Sequence, residues 1–420
     1  MKYALLLIVS FFVFSLQAQI CFEDYTYLQP IQLKSNVDST TIKAHTVAIP
    51  WNTKALVDAG KLAEDGSDIK VADQDCNPLP FFIQGVKVRE NNVLYVSVPD
   101  LDHDGITIQV YYGAANPQES QIDGESVFDF FDDFEDETVD LEKWEVIGAY
   151  DLLEEADGEL RFTGRFGQGG IFQYITPKNA YKDAITMDFA ANANNAQVYG
   201  IADTADIRRI GLRYNSGIQS NDTLDLIAFM QDTINGGSNP GLDPYPDIPV
   251  ARNEINIISM TTFLDESKHL NFTRFENHST GQQNIDTVNL PQMEFDAMRP
   301  FFSSFSTPIK VEYIGIRPAI SEAPEIILNE EVNLTISSTR LMASDFDIRL
   351  FPNPVNDRLQ IVTGQNLPER IRLVNSLGQV VLNTPFLEMI DVSTYSSGLY
   401  FIQLDLENGK RSIDQIMIQE

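Results

Sequence analysis

The chain is poor in positive charge: its 420 residues include 29 Lys plus Arg against 61 Asp plus Glu, a formal net charge of −32. Proteins that bind nucleic acid neutralise its phosphates with clustered Lys and Arg, and release counterions as they do so. The sequence has no such basic cluster. The composition therefore argues against nucleic acid and against anionic membrane surfaces as partners.

Long hydrophobic runs are also scarce beyond the N-terminus. Residues 1–18 begin with Lys2, continue with an apolar run from Tyr3 to Leu16, and end in small and polar residues around Ala18. This is the order of a secretory signal peptide, and the run is shorter than the roughly 20 residues that span a bilayer. We predict a signal peptide cleaved after Ala18 and no transmembrane segment.

Cysteine is nearly absent. Cys21 and Cys76 are the two cysteines of the sequence, and both follow the predicted cleavage point. An exported protein meets an oxidising compartment, where two cysteines allow one pairing. We predict a Cys21–Cys76 disulfide; the alternative is two unrelated thiols, one of them buried.

Apolar residues are present in ordinary amount, since 43% of the sequence is hydrophobic and 10% aromatic. This excludes wholesale disorder, and the length suggests two or three domains. Ile106, Ile108, Val110 and Tyr112 alternate with polar or outward positions, the period of a half-buried strand. No long helical periodicity interrupts this pattern, so we predict an all-β protein.

Four motifs follow one another in the first part of the chain: Gly66-Ser67-Asp68-Ile69, Leu79-Pro80-Phe81-Phe82-Ile83, Val96-Ser97-Val98-Pro99 and Val110-Tyr111-Tyr112-Gly113. With these motifs, residues 19–120 resemble domain of unknown function 2341, a small β-sandwich module of secreted and surface proteins. The resemblance implies a fold but no biochemical activity.

An acidic-Phe motif, a Trp, a Gly-led strand and a later apolar strand follow in order: Phe128-Asp129-Phe130-Phe131-Asp132-Asp133-Phe134-Glu135, Leu141-Glu142-Lys143-Trp144, Asp157-Gly158-Glu159-Leu160-Arg161-Phe162 and the stretch from Ile309 to Arg317. In this order, residues 127–320 resemble the concanavalin A-like (LamG-like) jelly rolls. A jelly roll of this kind implies binding of glycan or another extracellular ligand.

Residues 321–345 are interpreted as a linker, and residues 346–420 resemble the type A C-terminal sorting domain of the type IX secretion system of Bacteroidetes. The motif residues are Pro352, Asn353, Pro354, Gly378, Gly398 and Tyr400. The resemblance implies a small Ig-like β-sandwich whose partner is the type IX secretion machinery. It also implies secretion through the periplasm, followed by attachment to the cell surface or release.

Calcium is the cofactor that the jelly-roll resemblance implies. Related domains hold a structural ion with an acidic residue near the entry Phe, a carbonyl near the Gly-led turn and an acidic residue on the closing strand. Carried over, these are Asp133, Gly158 and Glu312, and the alternative is a simple acidic rim. The stretch Asp100-x-Asp102-x-Asp104-Gly105 is better interpreted as a solvated turn, because Tyr111 stands where a calcium loop needs Glu.

No catalytic residues are predicted. The stretch from Glu294 to Arg299 resembles the catalytic strand of family 16 glycoside hydrolases, but Arg299 stands where the second Glu is needed. The sequence also has no Gly-x-Ser-x-Gly elbow and no His-Glu-x-x-His zinc motif.

Three hypotheses follow for function. The first is a non-catalytic exported protein whose jelly roll binds an extracellular glycan; Arg213, Tyr214 and Asn215 are suitable for sugar contact but equally for a plain strand. The second is a structural adhesin or spacer without glycan binding. The third is a polysaccharide hydrolase, which needs a carboxylate pair that the sequence does not reveal.

Overall fold

The structure is a computed structural model, and it divides into two compact units, Met1–Glu331 and Val332–Glu420. The predicted signal peptide, Asp102 and Gly378 lie outside the residues that it describes. The described residues are 20–22, 24–36, 42–101, 103–114, 121–165, 173–194, 197–204, 208–215, 223–230, 248–284, 288–304, 307–320, 322–334, 349–363, 368–375, 379–406 and 411–419.

The first unit begins with a small β-sandwich. One sheet has the order β23-β1-β6-β3 and the other has the order β2-β5-β4. Alternating Val, Ile and Leu residues on facing strands fill the space between them, as in any two-sheet core. The elements are β1 (Tyr27–Lys34), β2 (Ile42–Trp51), α1 (Thr53–Asp58), β3 (Lys70–Ala72), β4 (Phe81–Phe82), β5 (Asn92–Leu101), β6 (Ile106–Tyr112) and β23 (Glu325–Leu328).

Strand β23 corrects the predicted linker. The range 321–345 was interpreted as a connector, but Glu325–Leu328 forms a strand antiparallel to β1, with Ile31 opposite Leu328 and Lys34 opposite Glu325. The prediction is wrong for these four residues. The chain leaves the first sandwich, builds the second, and then returns to complete a sheet of the first.

The second sandwich is a jelly roll of two facing sheets. Among the described residues, a nine-stranded sheet has the order β19-β18-β17-β12-β22-β10-β9, with β20 beside β18 and β7 beside β22, and a seven-stranded sheet has the order β16-β15-β14-β13-β21-β11-β8. The strands are β7 (Phe130–Asp132), β8 (Trp144–Ile147), β9 (Tyr150–Ala156), β10 (Glu159–Gly164), β11 (Tyr174–Pro177), β12 (Ile185–Asn192), β13 (Gln197–Asp203), β14 (Arg208–Asn215), β15 (Thr223–Met230), β16 (Ile248–Pro249), β17 (Ile255–Leu264), β18 (His269–Asn277), β19 (Gln282–Asn284), β20 (Val288–Glu294), β21 (Met298–Ser304) and β22 (Ile309–Pro318).

The jelly-roll core lies between these sheets and is rich in aromatic residues. Phe189 packs near Tyr199 and Phe302, with ring centroids 5.2 and 5.6 Å away. Trp144 is fully buried, and its indole N–H donates to Asp132 Oδ2 at 2.7 Å, which satisfies its one polar atom. The predicted entry motif and Trp therefore meet in one core, and the all-β prediction is confirmed.

The second unit is another two-sheet sandwich. A three-stranded sheet has the order β25-β26-β29, and a four-stranded sheet has the order β28-β27-β30-β31. Buried Leu359, Ile371, Ile402 and Ile416 form its core. Its sheets contain β25 (Arg349–Phe351), β26 (Arg358–Val362), β27 (Pro368–Asn375), β28 (Val380–Pro385), β29 (Met389–Asp391), β30 (Gly398–Leu406) and β31 (Arg411–Ile418), and the two-residue strand β24 (Val332–Asn333) belongs to neither sheet.

The predicted disulfide is confirmed. Cys21 and Cys76 are bonded, with Cα atoms 5.1 Å apart, and neither sulfur is free. The backbone N–H of Cys21 donates to the Tyr111 hydroxyl at 3.0 Å, and the Phe22 ring packs edge-on against the Tyr111 ring. The bond thus ties the segment before β1 to the first sandwich.

Candidate functional site

The first sandwich packs on the outer face of the nine-stranded sheet of the jelly roll. The contact is an aromatic cluster in which Phe82 and Tyr95 of the first sandwich meet Phe128, Phe131 and Tyr313. The Tyr95 and Tyr313 hydroxyls bond to each other at 3.1 Å. The two sandwiches therefore share a buried apolar seam, which the separate sequence motifs did not predict.

A buried ion pair lies in the same seam. Asp188 on β12 and Arg317 on β22 have side chains 0% and 5% exposed, and Arg317 Nε donates to Asp188 Oδ2 at 2.6 Å. Arg317 Nη1 also donates to the Thr46 carbonyl of β2 at 3.0 Å, across the seam. The guanidinium therefore joins the two sandwiches while its charge is balanced within the jelly roll.

Two cavities open at the rim of this seam. The first, called here the Trp51 cavity, has a volume of about 270 Å³ and is lined by Trp51, Asn52, Glu90, Asn91, Glu276 and His278, with Pro50 and Gly281. The second, called the Arg274 cavity, has about 230 Å³ and shares Pro50 and Glu276 with the first. Both sandwiches contribute residues to each cavity.

The polar lining of the Trp51 cavity is held in place locally. Asn52 caps α1, because its side-chain oxygen accepts from the Ala55 N–H at 3.0 Å. Asn91 Nδ2 donates to the Ser279 carbonyl at 2.9 Å, across the seam. The exposed rim of Asn52, Glu90 and Asn91 therefore surrounds a deeper wall formed by Trp51 and His278.

Ser259, His278 and Glu276 meet below this cavity in a pattern that resembles a hydrolytic triad. His278 Nε2 is 2.8 Å from Ser259 Oγ, and His278 Nδ1 is 3.5 Å from Glu276 Oε1. Ser259 is 2% exposed, lines neither cavity, and donates its hydroxyl proton to Asp188. A nucleophile must reach its substrate and release its proton to a base. This cluster therefore acts as a buried polar support for the seam.

Burial also sets the pH response of the first sandwich. His45 is 1% exposed, its Nε2 has no hydrogen-bond partner, and burial together with the nearby Arg317 lowers its pKa to about 4. Glu155 in the jelly roll shifts the other way, since burial and a hydrogen bond with Asp136 raise its pKa to about 7. As pH falls, His45 therefore lowers the free energy of unfolding, whereas Glu155 raises it.

We predict that His45→Leu makes the protein more resistant to acid. The unfolded chain protonates His45 below about pH 6.5 while the folded chain does not, so this group removes stability as pH falls from 6.5 to 4. The loss attributable to it is about 3 kcal/mol. Urea denaturation at both pH values measures the difference from the natural protein.

Glu155→Gln serves as the control for this prediction. The raised pKa of Glu155 stabilises the fold below about pH 4.5, and that contribution is lost as pH rises through 7. Its removal should make the acid loss steeper than in the natural protein. If the free energy of unfolding changes equally with pH in the natural protein, His45→Leu and Glu155→Gln, the pKa shifts assigned to His45 and Glu155 are wrong.

The outer face of the seven-stranded sheet is the second candidate surface. The Arg209 guanidinium lies 4.6 Å from the centre of the Tyr174 ring, and the Phe301 ring is 5.2 Å from Tyr174. All three residues are at most 2% exposed. A sugar stacks on an accessible ring, so these covered aromatics provide no open platform.

The carboxyl groups that the structure describes on this sheet are far apart. Glu145 on β8 binds Arg299 Nη2 at 2.5 Å, and Asp203 on β13 is buried and accepts from the Asp296 N–H at 3.0 Å. Two strands separate β8 from β13, a distance of about 14 Å along the sheet. Glycosidases need two carboxyls within about 5 to 10 Å. The side chains of Arg213, Tyr214 and Asn215 lie outside the described residues.

The stretch from Glu294 to Arg299 does not form one catalytic strand. Glu294 ends β20 of the nine-stranded sheet, opposite His269, whereas Arg299 belongs to β21 of the seven-stranded sheet. Asp296 lies in the turn between them and pairs with Lys268 at 2.8 Å. A catalytic strand carries its carboxyls on one face, and this segment instead crosses between two sheets.

The predicted calcium residues lie at or beside strands that pair along one stretch of the nine-stranded sheet. Strands β7 and β10 pair with the same strand, β22, and their registers place Asp132 opposite Ile314 and Leu160 opposite Val311, on either side of Glu312. The Glu312 carboxylate, however, binds the Arg89 guanidinium of the first sandwich. A cation already balances that carboxylate and would repel a second one, so the three residues as arranged do not fit a calcium ion.

The predicted sorting motif lies on the second unit. The bonds before Pro352 and Pro354 are both cis, and Asn353 Oδ1 accepts from the Met417 N–H at 2.9 Å. Gly398 begins β30, and the Tyr400 hydroxyl donates to the Ser396 carbonyl at 2.9 Å. The motif residues that the structure describes thus hold the ends of β25, β30 and β31 together.

Two family models match the chain. Residues 65–147 match domain of unknown function DUF2341, and residues 349–419 match the secretion system C-terminal sorting domain. The chain carries a type IX sorting domain. The protein is therefore one that the type IX secretion system exports towards the cell surface or the extracellular space. Within the described residues, no helix has the length and apolar character needed to cross a membrane.

Solved structures give a further comparison, while no curated protein matches the chain in sequence. β-Agarase B from Zobellia galactanivorans is 14% identical with a TM-score of 0.30, and 47% of this chain covers 92% of that one. Porphyranase B from the same organism is 10% identical with a TM-score of 0.29, at 47% and 91% coverage. A glycoside hydrolase family protein from Mycobacterium thermorestibile is 12% identical with a TM-score of 0.30, at 44% and 99% coverage.

Proposed function

We propose that this exported protein is a non-catalytic glycan-binding protein whose sugar site is the Trp51 cavity. The observation that carries the proposal is the composition of that cavity: polar side chains of Asn52, Glu90 and Asn91 surround a wall formed by Trp51 and His278. Sugar hydroxyls need convergent donors and acceptors, which the rim supplies; Trp51 and His278 are each 7% exposed and form the floor beneath it, not an open stacking ring. The site thus lies at the seam of the two sandwiches rather than on a jelly-roll sheet face.

The non-catalytic half of the proposal has separate support. Glu145 and Asp203 stand too far apart for glycoside hydrolysis, and the Ser259 hydroxyl is buried and donates to Asp188. Both arrangements disfavour the hydrolase alternative on the described residues. The polar cavity can bind a sugar without a group placed to break its glycosidic bond.

Glu90→Ala is expected to weaken glycan binding at least tenfold. Glu90 is an exposed rim residue, and a hydrogen bond to a charged group contributes about 1.5 to 3 kcal/mol. The measurement is a glycan array with the purified full-length protein, followed by titration of the strongest ligand. Calcium and chelator arms run in parallel, as does an assay for released reducing sugar.

Glu266→Ala is the matched control, because Glu266 is an exposed Glu in the turn between β17 and β18 and lines neither cavity. Binding to no glycan would contradict the proposal. Release of reducing sugar would overturn its non-catalytic half. Equal losses in both variants would move the sugar site away from the Trp51 cavity.

A structural spacer is the second candidate function, and the seam favours it. The aromatic cluster and the Asp188–Arg317 pair fix the two sandwiches to each other. Such rigidity suits a protein that holds a surface partner at a set distance. Absence of glycan binding together with a seam that remains intact would favour this candidate.

A further inference from the structure

The Arg274 cavity contains a guanidinium nitrogen that has no hydrogen-bond partner in the described part of the chain. Arg274 on β18 makes no hydrogen bond or ion pair with any described residue, and its Nε is buried. Burial and the nearby Arg317 lower its pKa. Arg317, in the same cavity, is by contrast fully engaged with Asp188 and the Thr46 carbonyl.

The neighbours of Arg274 offer no acceptor to its Nε–H. Thr261 stands opposite it on β17, and the Thr261 hydroxyl bonds to the Thr186 hydroxyl of β12 at 3.0 Å. Glu276 lies two residues along β18 and lines the same cavity as Arg274. Its carboxylate also faces His278. The rest of the lining is largely apolar, with Val47, Pro324 and Ile326.

A buried N–H without an acceptor is costly unless a ligand supplies one. A carboxylate or sulfate fits the guanidinium's fork of N–H donors with two parallel bonds, and apolar surroundings strengthen the attraction. The Arg274 and Trp51 cavities share Pro50 and Glu276, so they adjoin, and the proposed ligand spans both. Together their volume falls within the range of about 300 to 1,000 Å³ that is usual for small-ligand sites.

We infer that the ligand is an acidic glycan, and that Arg274 binds its carboxylate or sulfate group. This rests on the proposed glycan binding and adds the ligand class. The sugar ring lies in the Trp51 cavity, and Glu276, between the two cavities, accepts from a sugar hydroxyl. A neutral glycan leaves Arg274 unpaired and binds less tightly for that reason.

Arg274→Met tests the inference with the full-length protein on the glycan array. The strongest ligands should carry carboxylate or sulfate groups, and the variant should weaken them at least tenfold while neutral glycans are unaffected. Methyl esterification or desulfation of the strongest ligand separates the two anions and should cause the same loss. The variant should also melt at a higher temperature without ligand, because it removes a buried N–H that has no acceptor.

Arg252→Met is the matched control, since Arg252 is an exposed arginine of the jelly roll that lines neither cavity. Neutral glycans as the strongest ligands, or equal binding by Arg274→Met and the natural protein, would overturn the inference and leave glycan binding intact. No binding to any glycan would sink the proposed function, and the inference with it.

Discussion

Asp188→Ala is expected to reduce the free energy of unfolding by about 3 to 5 kcal/mol. The substitution leaves the Arg317 guanidinium, whose side chain is 5% exposed, without the carboxylate that accepts from it. It also removes the acceptor of the Ser259 hydroxyl. Because Arg317 reaches the Thr46 carbonyl, the loss should loosen the seam first. Urea denaturation measures it.

The double variant Asp188→Leu with Arg317→Met separates an unpaired charge from a lost contact. Removing both charges should restore most of the stability, because replacing a buried pair by apolar residues is often neutral. Lys268→Ala breaks the exposed pair with Asp296, 61% and 70% exposed, and should cost at most about 1 kcal/mol. A loss under 1 kcal/mol in Asp188→Ala would show that water solvates Arg317 and that the seam is open.

The contact between the two sandwiches creates both cavities of the first unit. A jelly roll alone would expose the outer face of its nine-stranded sheet, with Ala190, Ile257 and Tyr313 on it. The first sandwich covers that face, and both cavities lie at the edge of the covered area. Residues such as Trp51 and His278 therefore meet at one site although they belong to different sandwiches.

Local patterns were sufficient to predict the folds. Short-range alternation identified β6, two cysteines allowed one disulfide, and the ordered entry motif and Trp were expected in one jelly-roll core, where the Phe134 ring lies 5.7 Å from Trp144. Each of these depends on residue spacing within a strand or on a motif with a fixed order. Such signals are present in the sequence before any tertiary contact forms.

No sequence pattern of this kind predicted the contacts between the two sandwiches. Arg89 and Glu312 are 223 residues apart, and nothing near either residue indicates that they pair. The pairing of β23 with β1 was equally hidden from the sequence. Its four residues lie in a stretch that contains Pro and Glu and resembles a linker, and they form a strand only through their pairing with β1. The Trp51 cavity was missed for this reason; the Trp51-Asn52 and Glu90-Asn91 pairs at strand ends are visible only as ordinary turns.

Cys21→Ser with Cys76→Ser is expected to reduce the free energy of unfolding by about 4 kcal/mol. The bond closes a loop with a sequence separation of 55, and the chain-entropy model assigns about this stabilisation to a loop of that size. Without the bond, the segment before β1 is held by the Cys21 N–H to Tyr111 contact and the Phe22 ring. Thermal and urea denaturation both measure the loss.

Reduction of the natural protein supplies the control, because both cysteines are in this bond and no free thiol competes. Dithiothreitol should lower its stability to that of the double variant and leave the double variant unchanged. If the reduced protein keeps its full stability, the first sandwich and the packing of Phe22 against Tyr111 already hold the segment, and the cross-link adds little. A large loss in the double variant alone would indicate that serine disturbs the packing around Tyr111, because reduction opens the same loop without changing a side chain.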